Sequence, residues 1–141
     1  MEGPQGMHRG GDDREGFSVE LDPLSNVVRV AAWGFWGPDV ALAFSRDVLL
    51  VCAGARVRFG LLVDCSGLNP QRAEGQEAWG RWMLETGPRL GRACAAVPNA
   101  VTKLQLVRIA KASHGQGWTF FSTIEAALLA LAAYKSQGED R

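Results

Sequence analysis

The run from Arg58 to Gly67, R-F-G-L-L-V-D-C-S-G, constrains this fold most. It is a short apolar segment in mid-chain that ends in a polar turn. Leu61-Leu62-Val63 is continuously apolar, the pattern of a strand buried on both faces of a parallel sheet. We read Arg56 to Cys65 as that central strand, with Asp64, Cys65 and Ser66 at its C-terminal mouth.

The flanking segments agree with this reading. Phe17 to Leu21 alternates apolar and polar residues, and Val27 to Trp33 is rich in β-branched ones. Asp22-Pro23-Leu24-Ser25-Asn26 between them is a turn, so the pair should form an antiparallel hairpin. Pro38 suits the first turn of a helix, where a missing N–H costs nothing, and Gly54 is its stop. Val40, Phe44, Val48 and Val51 share one face of that helix. Leu42 and Leu49 lie on the other, a candidate self-association face. A helix of this length between two strands requires a right-handed parallel crossover.

Asn69 and Pro70 look like the cap and first residue of a second helix ending at Gly87-Pro88. Trp79, Trp82 and Met83 fall on one of its faces and should pack on the sheet. Gly75 and Gly80 cost it about 1 kcal/mol each relative to alanine, which suggests a loose helix or one in close contact with a neighbour. Ala93 to Val97 reads as a strand. The segment opened by Pro98-Asn99 fits either periodicity, and we read it as a helix because Gly115 stops it and Lys111 and His114 suit a last turn. Gly117 to Phe121 is a short strand. Ser122 and Glu125 form a capping box before a helix over Ile124 to Lys135.

The expected order is β-β-α-β-α-β-α-β-α, an α/β domain over residues 17–135. Its single mixed, mostly parallel sheet should have four to five strands, with four helices. Residues 1–16 contain five glycines and mostly polar side chains and are expected to be a disordered arm. Residues 136–141 should fray.

Fifteen basic residues balance fifteen acidic ones, so no global field favours nucleic acid or an anionic membrane. The longest apolar run, Ala126 to Tyr134, is half the length of a membrane span, so no insertion is expected. The N-terminus lacks the apolar stretch of a signal peptide. Three cysteines without a C-x-x-C pair indicate reduced thiols in a cytoplasmic protein and neither a disulfide framework nor a metal site.

Ligands of open α/β sheets bind outside the carboxyl ends of the strands. That places a candidate partner or ligand rim at Phe35, Trp36, Asp64, Cys65, Ser66 and Asn99. Trp36 serves either as an interface residue or as a plug over the sheet end. No catalytic constellation, cofactor motif or metal set is present. Cys65 at a strand mouth would need a base, and neither His8 nor His114 is a convincing partner.

This element order, the V-D-C-S-G at the central strand and the closing Ala/Leu-rich helix resemble the STAS domain. The chain is most similar to the cytosolic SpoIIAA-like, stand-alone STAS/SEC14-type proteins. The resemblance covers about residues 17–135. It implies a helix-flanked sheet, no cofactor, and action by binding proteins. Anti-sigma factor antagonists of this family carry a phosphorylatable Ser or Thr in an Asp-Ser-x-Gly motif at the start of the second helix. In one register Cys65 replaces the acceptor. In the other, which we prefer, the acceptor falls near Asn69 to Ala73, where no hydroxyl occurs; Ser66 is then the remaining candidate. The expected function is therefore a non-enzymatic module that binds a protein partner without phosphorylation switching. The alternatives are a carrier of a small apolar ligand, in a cavity lined by Phe35, Trp36, Trp79 and Trp82, and a thiol enzyme at Cys65.

Overall fold

The computed structural model describes residues 7–113 and 115–139, with side chains through residue 135. Six strands and four helices follow one another: β1 (His8–Gly11), β2 (Gly16–Asp22), β3 (Val27–Gly34), α1 (Pro38–Ala53), β4 (Phe59–Leu68), α2 (Ala73–Thr86), β5 (Leu90–Ala96), α3 (Ala100–Ala112), β6 (Trp118–Phe121) and α4 (Ile124–Glu139). A single 3₁₀ turn, Gly87–Arg89, joins α2 to β5.

The strands lie in the sheet in sequence order. The β1–β2–β3 portion is antiparallel, and β3 to β6 are all parallel. Thus β4 runs between two parallel neighbours, as its apolar run predicts. Among the described residues the sheet has six strands rather than four to five. The extra one is β1, inside the segment expected to be a disordered arm; residues 1–6 of that segment lie outside the described residues. H-R-G-G carries no apolar alternation. It pairs through its backbone, Gly10 leaves room for the Phe17 ring across the register, and the Arg9 guanidinium lies 5.3 Å from the Trp33 ring centre. At the other end α4 continues to Glu139, into the segment expected to fray, and residues 140–141 lie outside the described residues.

Strand order explains the layering. Three successive crossovers step the same way across the sheet, and one handedness then puts α1, α2 and α3 on one face. α4 follows the last strand, so no crossover constrains it, and it folds back over the opposite face of β4 and β5. Two cores result. The larger holds Phe17, Val28, Phe44, Leu61, Val63, Trp79, Trp82 and Leu106 under α1–α3. The smaller holds Val27, Leu62, Cys94, Ala96, Ala127 and Leu131 under α4. Consecutive residues Leu61, Leu62 and Val63 serve alternate faces, which is why the run has no polar member.

The bounds of α1 are those that Pro38 and Gly54 dictate. α2 begins three residues beyond Pro70, with Arg72 as its uncapped N-terminal boundary. Its glycines make close contacts. A Cβ at Gly75 would lie 2.5 Å from Gln71 Oε1, and one at Gly80 3.1 Å from Ser113 Oγ. α3 is helical, and its cap is Asn99, whose Oδ1 accepts from the Thr102 N–H at 2.9 Å. At α4 the hydroxyl that caps is Thr123, accepting from the Ala126 N–H at 3.1 Å, rather than Ser122.

Candidate functional site

The C-terminal ends of β3, β4 and β5 form one rim with the first turns of α1 and α2. β3 leaves the sheet through Gly34, at φ +84°. That left-handed turn costs glycine nothing, and the Arg14 and Glu15 main chain lies too close to admit a Cβ. The turn sends the next two aromatics opposite ways. Phe35 is 44% exposed, and the Arg72 guanidinium stacks on it 4.2 Å from the ring centre. Trp36 is fully buried; its Nε1 donates to the Gly16 and Trp33 carbonyls at 3.1 and 3.0 Å. Of the two expectations for Trp36, the structure realises the plug over the sheet end.

The rim is held together by a residue that sequence reasoning passed over. Gln71 is 4% exposed. Its Oε1 accepts from the Trp36 N–H at 3.2 Å, and its Nε2 donates to the carbonyls of Gly34 at 3.0 Å and Asn69 at 2.8 Å. Its main-chain N–H donates to Gln105 Oε1 at 2.6 Å, and its carbonyl accepts from Gln105 Nε2 at 2.8 Å. The β3–α1 and β4–α2 junctions thereby meet at one amide side chain, and α3 is tied to the main chain of the same residue. Glu15 adds a second tie, accepting from the Gly37 N–H at 2.7 Å and placing a carboxylate at the N-terminus of α1. Nothing in the residue types alone marks Gln71, Gln105 or Glu15, because the partners that tie the junctions together are more than twenty residues away.

Asp64, Cys65 and Ser66 lie inside β4, not beyond it. The strand continues to Leu68, pairing with β3 past an irregularity between Ala31 and Trp33. Asp64 is half-buried on the α4 face, and its Oδ1 accepts from both the N–H and the hydroxyl of exposed Ser66, at 2.9 and 2.6 Å. It also lines a shallow groove of about 250 Å³ with Ser18, Glu20, Arg29 and Ile124. Cys65 points the other way, into the larger core, and is fully buried. Burial first, and the Asp64 carboxylate second, push its thiol well above the ordinary range, disfavouring the thiolate that a nucleophile needs. His8 lies in β1, at the sheet edge farthest from β6. His114 lies outside the described residues. Asn99 is exposed at the end of β5, its side chain occupied as a cap. Phe35, Ser66 and Asn99 therefore reach solvent at or near the rim, Asp64 reaches it in part, and Trp36 and Cys65 do not.

Next to the rim, α1 and α2 enclose a groove of about 210 Å³ lined by Pro38, Leu42, Ser45, Glu74, Glu77 and Arg81. Leu42 is 70% exposed there. Leu49 is half-buried and packs against the larger core, so the outer stripe of α1 is Leu42, Arg46 and Leu50 instead of Leu42 and Leu49.

Trp36, Phe44, Trp79 and Trp82 form a continuous aromatic cluster, with ring centroids 4.7–5.9 Å apart. Trp36, Trp79 and Trp82 are fully buried and fill one another's space, so they are core residues, not the lining of a cavity. Among the described residues no three His, Cys, Asp or Glu side chains are grouped to hold a metal ion. No helix among them is long and apolar enough to cross a membrane.

No family model matches the sequence, and no curated protein matches it. Among solved structures the chain is similar to an anti-sigma factor antagonist from Mycobacterium paratuberculosis, at 18% identity and a TM-score of 0.57. The match covers 82% of this chain and 94% of that one. At this identity the likeness concerns the fold: the chain has the STAS-type, SpoIIAA-like α/β fold that its order of elements resembles.

Proposed function

We propose that this chain is a non-enzymatic interaction module. It binds a protein partner through the rim at Phe35 and Arg72 and the adjoining α1–α2 groove, and it works without phosphorylation switching. The observation that carries this is the surface itself. An exposed aromatic–guanidinium stack borders a groove with an exposed leucine and the charged residues Glu74, Glu77 and Arg81. Aromatic and arginine side chains are the anchors that interfaces favour, and charges around them set specificity. The fold shared with an anti-sigma factor antagonist makes a sigma-factor regulator the partner class to test first.

The first turn of α2 reads Arg72-Ala73-Glu74-Gly75. In the family pattern that position carries the hydroxyl to be phosphorylated; here it offers alanine, followed by a fixed carboxylate. Ser66 is exposed, but its hydroxyl already donates to Asp64. A phosphate there would stand against that carboxylate, a like-charge cost.

The full chain immobilised as bait tests both parts. A partner retained by the wild type and by Leu129→Glu, on the far face, should be lost at least tenfold with Arg72→Glu and Leu42→Glu. Equal retention by all four proteins overturns the rim, and so does retention of nothing. Intact mass of the chain purified from its own cells should show no phosphate; a phosphate at Ser66 would remove the second claim and leave the first.

A further inference from the structure

The far edge of the sheet offers a second surface of a different kind. Among the described residues β6 is the terminal strand and pairs only with β5. The Ala93 and Val97 N–H groups donate to the carbonyls of Gly117 and Phe121. Backbone direction alternates along a strand, so residues 117, 119 and 121 face β5. The N–H and C=O groups of Trp118 and Phe120 face outward. Native edge strands are usually protected by charge, proline or a bulge; W-T-F-F has none of these. Beside this edge lies a groove of about 410 Å³, walled by Val107, Ala110 and Lys111 of α3 and by Gln116, Trp118 and Phe120. That volume is in the range of ligand pockets. Among the described residues Lys111 is the one charged residue lining it.

We infer that this edge receives an extended peptide segment of another protein. The segment adds a seventh strand on Trp118 and Phe120 and places a carboxylate against Lys111. Four main-chain hydrogen bonds are available, two from each outward residue. In a pleated strand, the peptide residues opposite Trp118 and Phe120 put their side chains on the same face as those rings, inside the groove. Apolar residues at alternate positions fit its aromatic and aliphatic walls. The lone cation selects a segment that ends in a free carboxylate or carries an acidic side chain there, and an amide cap distinguishes the two sources. This surface is separate from the α1–α2 rim and stands whether or not that rim binds a partner.

The test uses the ¹⁵N-labelled full chain and three synthetic peptides. These are acetyl-Thr-Val-Thr-Val-Thr-Val with a free C-terminal carboxylate, the same peptide with a C-terminal amide, and the carboxylate form with proline replacing the second valine. The first peptide should shift the Trp118 and Phe120 amide resonances and slow their hydrogen exchange. It should bind about two- to fivefold more tightly than the amide form, and Lys111→Glu should abolish that difference. If both forms bind equally and a fourth peptide, the amide form with aspartate in place of its last threonine, is preferred, the carboxylate comes from a side chain, which still supports the inference. The proline peptide should leave both resonances unmoved. Absence of shifts with millimolar peptide overturns the inference, as do shifts centred elsewhere or equal binding of the proline peptide. Concentration-dependent dimerisation that protects the same two amides would assign the edge to a second copy and also overturn it.

Discussion

Replacing Gln71 by methionine removes the hydrogen bonds of its side chain while keeping its length and most of its volume. Three groups lose a partner: the Trp36 N–H and the carbonyls of Gly34 and Asn69. The Gly34 carbonyl still accepts from the Asn69 N–H at 3.2 Å, so its loss is partial. The Trp36 N–H is left buried beside a thioether, whereas water can reach the carbonyl of exposed Asn69. At about 1–3 kcal/mol for the buried group and about 1 kcal/mol for the two partial losses, the expected destabilisation is about 2–4 kcal/mol. For a chain of this size that lowers the melting temperature by about 10 °C. Gln105→Met is the comparison. It removes two bonds to the Gln71 main chain, but Gln105 is half-buried and water can replace it, so the loss should be about 1 kcal/mol. Urea unfolding followed by tryptophan fluorescence measures both, and the m-value should stay unchanged, because neither variant alters the surface exposed on unfolding. A loss below about 0.5 kcal/mol for Gln71→Met, or one no larger than for Gln105→Met, would refute the view that this amide joins the strand ends.

Three further outcomes follow from local geometry. Asn99→Ala removes the α3 cap and should cost about 1 kcal/mol in the same assay, with Asn99→Ser recovering most of it. Arg89 donates to the carbonyls of Cys52 and Ala55 at the end of α1, so Arg89→Ala should cost about 2 kcal/mol, measured by thermal unfolding. Burial pushes the Cys52 thiol from 9.0 up to about 11, so the unfolded chain ionises first as pH rises. Stability attributable to this group is intact below about pH 9 and declines up to about pH 11. Urea midpoints across that window should fall less steeply in Cys52→Ala.

What could be read from the chain alone tracks where the determining interactions lie. α1 was legible to the residue because Pro38 and Gly54 act locally. The two-faced burial of β4 was legible because Leu61 to Val63 must satisfy both cores. The start of α2 was not. Asn69-Pro70 carries a strong local helix-start signal, yet Gln105 and the Gly34 carbonyl hold residues 69–71 against the strand ends, and the helix waits until Ala73. β1 escaped notice for the opposite reason: an edge strand needs only backbone partners, and H-R-G-G shows no periodicity. At the rim, Phe35, Ser66 and Asn99 reach solvent. Trp36 and Cys65 were drawn there by their position in sequence and then turned inward, Trp36 by acceptors at Gly16 and Trp33, and Cys65 by the alternation of the strand.

The most direct test of the rim is hydrogen exchange of the full chain with and without the partner it captures. The account predicts slowed exchange in Phe35 to Ala41 and Arg72 to Glu77, with α4 unchanged. Protection confined to α4 or to β1 and β2, with those two segments exchanging as in the free chain, would contradict it.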